Sequence, residues 1–479
     1  MALKKTLKGL VERIPYPIGR IMALVPFGVR LGKGYAAAKA ECRLFDCSEI
    51  SADRRSLYEA KSLERCSIGQ LSERQEGYAV EHFRKVFEYA REKFPCYREL
   101  YAKAGVLDLK IESVTDIQKV PIVDKRWTRE HFAEFKGAYR LNTGGSSGEP
   151  TAFWMDKECW AREWAHMHTI WEKLGYKYTD LKLAIRGKNL GKRPFAYNPV
   201  HNEYIINTYL AVKDYADDLK RLFQKRKPKW FHGYPSSIYQ FILECESAFG
   251  EDGTRQLFKG VIGLLLSSEY PHPYIVQKFE SYGLKWISWY GHSEMAVLAY
   301  GTIEHHSSDF ASQSDLRSVD ISNDPNNQTI LYHPFVTYGL TEIVNGHLIG
   351  TSYHNFDMPL IRYDTGDLVE KVEIKGGGFG FRIKEGRSGD FVEDKNGKKI
   401  PLTALIFGRH HKAFDIADHV QIRQQIPGKA TLIVSGSKEV LAGKAMADLF
   451  DLTNVAIDFD MEIVDKPIRT AAGKLKLKV

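Results

Sequence analysis

Leu141 to Thr151 reads Leu-Asn-Thr-Gly-Gly-Ser-Ser-Gly-Glu-Pro-Thr, a run suited to holding a polyphosphate. Gly144, Gly145 and Gly148 let the backbone approach an anion without a Cβ in the way. Thr143, Ser146 and Ser147 add hydroxyl donors, and the intervening N–H groups can form an anion-binding concavity. It is not a Walker loop, which needs G-x-x-x-x-G-K-[ST]; Glu149 and Pro150 follow Gly148, so the lysine and the magnesium-binding hydroxyl are missing from their places. Taken alone, the run could equally be a Ser/Gly surface turn.

Four further motifs follow it: Trp289-Tyr-Gly-His-Ser-Glu294, Ile361-Arg-Tyr-Asp-Thr-Gly-Asp367, Gly386-Arg-Ser-Gly-Asp390 and Ala472-Gly-Lys-Leu475. In this order the five resemble the adenylate-forming superfamily of acyl-CoA synthetases, peptide-synthetase adenylation domains and luciferases. The resemblance spans about residue 141 to the end. Within the superfamily the sequence looks most like phenylacetate-CoA ligase and the CapK-type relatives of capsule biosynthesis, from Ser268-Glu-Tyr-Pro271, Met358-Pro-Leu-Ile-Arg-Tyr363 and Tyr16-Pro-Ile-Gly19.

The resemblance implies an acid that attacks the α-phosphorus of ATP and expels pyrophosphate, a reaction carried by positioning and by electrostatic stabilisation. It assigns the β- and γ-phosphates to Thr143, Gly144, Gly145, Ser146, Ser147 and Gly148, and adds Ser268, Glu269 and Gly291 to the nucleotide-binding set. Tyr290 would stack on adenine, Ser293 would hydrogen-bond the α-phosphate, and Glu294 would hold Mg²⁺, a hard cation that takes oxygen ligands. Asp367, presented by the Thr365-Gly366 turn, would accept both ribose hydroxyl protons, with Arg387 on the other side. Lys474 would be the adenylation lysine, selected over Lys476 and Lys478 by the preceding Gly473.

Three positions depart from the family pattern. Thr151 stands where a lysine often follows the proline, Ser293 replaces the more usual threonine, and Gly389-Asp390 replaces two consecutive acids at the hinge. The acid pocket is assigned to Tyr234, Ser236, Trp289 and His292, a lining suited to an aromatic, amino or hydroxy acid. Coenzyme A is the favoured acceptor; a carrier-protein thiol, or an amine or hydroxyl of a cell-surface sugar, is the alternative of the same class. The rival of a different class is a non-catalytic nucleotide-binding scaffold at a membrane surface, against which Glu294, Asp367, Arg387 and Lys474 argue.

The elements that must position these residues alternate along the chain. Helical spacing runs from Glu73 to about Ala104, from Asp156 to Leu174, from Tyr215 to Lys225 and from Pro235 to Phe249. Short β-rich runs lie at Leu181 to Ile185, Trp230 to His232, Val261 to Leu266, Leu284 to Tyr290 and Thr329 to Tyr332. The pattern predicts a layered α/β domain over 1–385, with 1–72 as an amphipathic N-terminal extension. A hinge is expected at 386–390. Beyond it, strands at Lys399 to Ile400, Val420 to Gln425, Ala430 to Ser435 and Val455 to Val464, with helices at Pro401 to Phe407 and Lys438 to Phe450, predict a small mobile α+β cap over 391–479.

At 479 residues, 43% hydrophobic and 27% charged, the chain has the composition of a soluble globular protein. The net charge of +8 suits polyanionic ligands, and no Lys/Arg run interleaved with aromatics marks a nucleic-acid face. Six cysteines without C-x-x-C spacing indicate neither a zinc knuckle nor a disulfide framework, and a cytoplasmic setting follows. His305-His306 lack a nearby third metal ligand. At the N-terminus Lys4, Lys5, Lys8, Arg13 and Arg20 interleave with aliphatics, but prolines 15, 17 and 26 interrupt the run, which is neither a signal peptide nor a membrane span. Packing against the main domain is the favoured fate; peripheral contact with an anionic membrane is the less favoured one.

Overall fold

The computed structural model describes residues 16–31, 34–43, 68–144, 150–267, 269–271, 273–305, 328–374, 378–383, 391–402, 405–406, 409, 411–417, 419–436, 441, 443–465, 467–468 and 477–479. Of the sequence-predicted site, Gly145, Ser146, Ser147, Gly148, Ser268, Arg387, Gly389, Asp390 and Lys474 lie outside the described residues.

The fold is mixed α/β around one large sheet. Its strands, after the two-stranded ribbon β1 (Tyr139–Gly144) and β2 (Pro150–Met155), are β3 (Lys182–Ile185), β4 (Phe195–Asn198), β5 (Glu203–Ile206), β6 (Trp230–Gly233), β7 (Gly263–Leu266), β8 (Lys285–Gly291), β9 (Leu298–His305), β10 (Gln328–Pro334), β11 (Gly339–Val344), β12 (His347–Ser352), β13 (Tyr363–Glu373) and β14 (Phe379–Ile383). They lie in the order β11-β12-β13-β14-β10-β9-β8-β7-β6-β3-β5-β4. The run β5-β3-β6-β7-β8 is parallel, and from β8 onward through β9 the pairing is antiparallel.

β3, β5, β6 and β7 are four residues each and buried throughout, as expected where helices cover both faces. Phe231, Leu264 and Leu266 face the helices Ala216–Arg226, Pro235–Phe258 and Pro273–Ser281. On the opposite face Trp230, Leu265 and Ile287 meet Ile170 and Trp171 of the helix Cys159–Glu172. Both strand and helix periods in this half follow the sequence pattern.

Two helical expectations change. The run from Glu73 to Ala104 is two helices, Ile68–Lys93 and Pro95–Lys103, separated at Phe94, whose backbone is extended. Pro95 explains the break, because its ring disfavours the α region for the residue before it. The helix starting at Pro235 continues past Phe249 to Phe258, with a non-helical Gly250 inside it.

The C-terminal residues build a second core. A hairpin of β15 (Phe391–Glu393) and β16 (Lys399–Pro401) accompanies a sheet of β17 (His419–Ile426), β18 (Lys429–Ser435) and β19 (Asp458–Val464). Val392, Leu402, Val420, Leu432, Val434 and Leu449 pack together there, joined by Tyr209 from the larger sheet's side. Within the expected helix Lys438 to Phe450, the described helical segment is Met446–Leu449. The chain's last residues pair beside β17, with Ile422 N–H donating to Leu477 O and Val479 N–H to Ile422 O.

Candidate active site

β8 is where the parallel half of the sheet meets the antiparallel half. The register Gly233↔Leu266↔Ser288 aligns the carboxyl ends of β6, β7 and β8, so the segments that follow leave the sheet at one rim. Ligands of open α/β sheets bind outside the carboxyl ends of their strands. Tyr234, Ser236 and Glu269 stand after β6 and β7 at this rim, Trp289 to Gly291 end β8, and His292 to Glu294 follow it.

β13 brings in the second half of the site. Its first residues pair with β12 and its last with β14, so the strand turns across the sheet, and Gly366 takes a φ of 80° within it. A residue with a Cβ is strained there, which accounts for the glycine in Thr365-Gly366-Asp367. Thr365 Oγ1 donates to Leu348 O at 2.9 Å and accepts from Asp367 N–H at 3.2 Å, fixing the turn. Asp367 thereby meets Tyr290, whose hydroxyl donates to its Oδ2 at 2.6 Å. The Tyr290 ring is buried edge-on to Phe381 at 5.3 Å between centroids, and burial first, then the Asp367 carboxylate, push its phenol well above the usual range.

 The Glu294 side chain is buried at 5% exposure and touches two named donors. His292 Nδ1 lies 3.0 Å from Oε2, and the Tyr363 hydroxyl donates to Oε1 at 3.2 Å. His292 Nε2 accepts the Val297 amide proton at 3.1 Å, so the ring proton sits on Nδ1 and points at the carboxylate. Burial pushes the Glu294 carboxyl up, but His292 beside it and the Lys125 charge outweigh burial and hold the group at about 2. It is therefore a carboxylate throughout the neutral range.

The remaining expected positions spread around this pair. Ser293 and Gly291 are exposed beside it. Trp289 is half-buried, with its ring 6.0 Å from that of His232 and 5.8 Å from that of Trp171. Ser236 is buried in the first turn of the helix Pro235–Phe258, and its N–H donates to Glu269 Oε2 at 3.0 Å, so one Glu269 oxygen is engaged at that helix start. Gly144 pairs with Pro150 at the end of the β1–β2 ribbon. The Thr143 side chain lies outside the description. Lys478 Nζ donates to Phe391 O at 2.6 Å, which commits that lysine to the C-terminal core.

Three residues of the site have no assigned role in the sequence motifs: Tyr363, Lys125 and Arg362. Arg362 is buried, takes a φ of 47°, and forms a two-pronged pair with Glu342 at 3.0 Å for both Nε and NH2. Its NH1 also donates to Gln118 O and Val120 O. Val123 N–H then donates to Arg362 O, and Asp364 N–H to Val123 O, docking the start of the helix Lys125–Glu130 beside β13. A buried arginine in a left-handed conformation inside the motif carries no periodic signal that a sequence could reveal.

Glu294 fits a hard cation: it is ionised, and each carboxylate oxygen keeps a second lone pair beyond its present partner. Among the described residues no group of three or more His, Cys, Asp or Glu could hold a metal ion by itself, so ligand oxygens would have to complete the coordination. A cleft of about 480 Å³ lies between Arg126, Arg129 and Glu130 on one side and His419, Ser435 and Asp465 on the other; none of the assigned nucleotide residues lines it.

No protein-family model and no curated protein matches the chain. Among solved structures it is similar to 2-hydroxyisobutyryl-CoA ligase in the postadenylation state with R3-HIB-AMP, at 18% identity over 86% of this chain and 90% of that one, TM-score 0.46. The same ligase with 2-HIB-AMP and CoA in the thioesterification state gives 18%, 85%, 90% and 0.47. The GH3.15 acyl acid amido synthetase gives 11%, 84%, 89% and 0.41. Likeness at this level assigns no activity, and the functional reading rests on the motifs and the site.

Proposed function

We propose that the protein is an ATP-dependent carboxylic-acid ligase of the adenylate-forming superfamily, in its phenylacetate-CoA ligase and CapK-like branch. The acid's carboxylate oxygen bonds to the α-phosphorus of ATP, the bond to the β-phosphate bridging oxygen breaks, and pyrophosphate leaves. The acyl group then passes from AMP to an acceptor. The observation that carries this reading is the meeting of Tyr290 and Asp367, 77 positions apart, beside Glu294 at the carboxyl end of β8.

In this reading Asp367 accepts from the ribose hydroxyls while Tyr290 holds its other oxygen and stacks its ring on the adenine. Glu294, kept ionised by His292 and Lys125, would hold Mg²⁺, which neutralises phosphate charge when bound. Ser293, exposed next to it, faces the α-phosphate. The residues between Gly144 and Pro150 cradle the outer phosphates, with Ser268 and Glu269 at the rim. Arg387 takes the ribose, and Lys474 steadies the charge that builds during transfer. Tyr234, Ser236, Trp289 and His292 border the acid.

The domain division belongs to the same proposal: a large domain over 1–385, a hinge at 386–390 and a mobile cap over 391–479. Coenzyme A is the favoured acceptor, with a carrier thiol or a sugar amine or hydroxyl as the alternative. Mass-spectrometric detection of AMP and acylated product, over a panel of acids with coenzyme A or amines added, tests it. AMP formation without any acyl transfer to coenzyme A would remove the favoured acceptor.

A further inference from the structure

The helix Tyr16–Leu24 reverses the usual amphipathic arrangement. Its small residues, Gly19 and Ala23, are buried, while Ile18, Ile21 and Leu24 are 59%, 65% and 66% exposed. Val29, on the following helix Phe27–Leu31, is 74% exposed. Among the described large hydrophobic residues, only Ile426 is comparably exposed elsewhere. Water-facing aliphatics grouped in this way are costly for a protein that leaves them in water, and such patches mark binding surfaces.

The patch is held firmly from beneath. A Cβ at Gly19 would lie 2.6 Å from Tyr197 Cε1, so glycine is what allows the helix to sit this close. The Tyr16 ring packs at 4.9 Å on Tyr197 and 5.7 Å on Tyr204, under the Arg226 guanidinium at 4.2 Å. Phe27 is buried against Tyr35 and His168, and Arg30 donates to Val25 O and Val200 O. These contacts fix the small face inward and leave the aliphatic face outward.

Charge identifies the occupant. The first 33 residues contain seven Lys or Arg and a single acid, Glu12, in a chain whose net charge is +8. Apolar side chains beside a basic segment match a bilayer with anionic headgroups, where the aliphatics enter the headgroup and acyl boundary and the cations meet lipid phosphates. No helix among the described residues is long and apolar enough to cross a membrane. We propose that Ile18, Ile21, Leu24 and Val29 form a peripheral docking surface for an anionic lipid bilayer.

Co-sedimentation of the full chain with vesicles tests this independently of any nucleotide chemistry. Vesicles of phosphatidylcholine mixed with phosphatidylglycerol should take up the protein on the order of tenfold better than phosphatidylcholine alone, with the preference lost in high salt. The double substitution Ile21→Gln, Leu24→Gln should reduce uptake by about tenfold or more while leaving the thermal melt unchanged, since both side chains are exposed. Lys4→Glu with Lys5→Glu and Lys8→Glu should remove the preference for anionic vesicles. Absence of uptake by the unsubstituted chain, or uptake indifferent to both sets of substitutions, overturns the proposal. So does a dimer that the Ile21→Gln, Leu24→Gln change converts to monomer without any vesicle binding, because a second copy would then cover the face.

Discussion

Asp367 has one oxygen committed to Tyr290 and would offer the rest of its acceptor capacity to a ribose. Asp367→Ala should weaken ATP binding by about 1.5–3 kcal/mol, the worth of hydrogen bonds to a charged group, as read by calorimetry. Unchanged affinity with an intact fold would make the turn a structural feature only. Glu294 carries a pH signature. Its folded value of about 2 lies below the ordinary 4.5, so its contribution to stability is complete above 4.5 and is lost as pH falls toward 2. Urea titrations at several pH values should therefore show the stability difference between the unsubstituted chain and Glu294→Gln shrinking by about 3 kcal/mol across that interval. A difference independent of pH would contradict the assigned ionisation.

The elements explain which residues were legible in advance. The parallel strands around Trp230, Val261 and Leu284 announce themselves as short apolar runs, and the helix Cys159–Glu172 by its aromatic spacing. Most antiparallel strands of the other half, including β13, alternate too weakly to stand out, although β13 carries Asp367. Tyr363 and Arg362 lay inside a quoted motif without a role, because only pairing with β12 and the docking of Val123 reveal what they touch. At the start of β3, Lys182 is fully buried between His201 O at 2.7 Å and Glu203 at 3.4 Å. Burial lowers its ammonium to about 8, against the Glu203 charge that raises it. A group lowered in this way makes stability rise with pH between about 8 and 10.5, and Lys182→Met should abolish that rise while costing roughly 3–5 kcal/mol at neutral pH by stranding Glu203. A neutral-pH cost near zero would show that Arg186 alone compensates the carboxylate.

At the scale of the whole molecule, the C-terminal core touches the large sheet's side through a small set of contacts. Lys398 Nζ reaches Glu244 and Leu210 O, each at 3.0 Å; Arg409 lies 3.7 Å over the Tyr209 ring; Asn189 Nδ2 donates to Thr453 Oγ1 at 2.7 Å. If the cap changes pose between half-reactions, Lys398→Ala with Arg409→Ala should alter one half-reaction more than the other, while hydrogen exchange in the β15–β16 hairpin quickens. Equal effects on both would favour a fixed cap. Lys474 divides the chemistry in a similar way: Lys474→Ala should lower adenylation on the order of 10²–10³-fold, as loss of one preorganised donor does, and spare transfer from a supplied acyl-adenylate.

The central claim is adenylation of a carboxylic acid, and exchange of labelled pyrophosphate into ATP measures that step without requiring the acceptor. With Mg²⁺ present, at least one acid of a broad panel should support exchange, and Asp367→Ala and Lys474→Ala should each depress it. Purified, folded protein that neither binds ATP nor exchanges pyrophosphate with any acid would contradict the account.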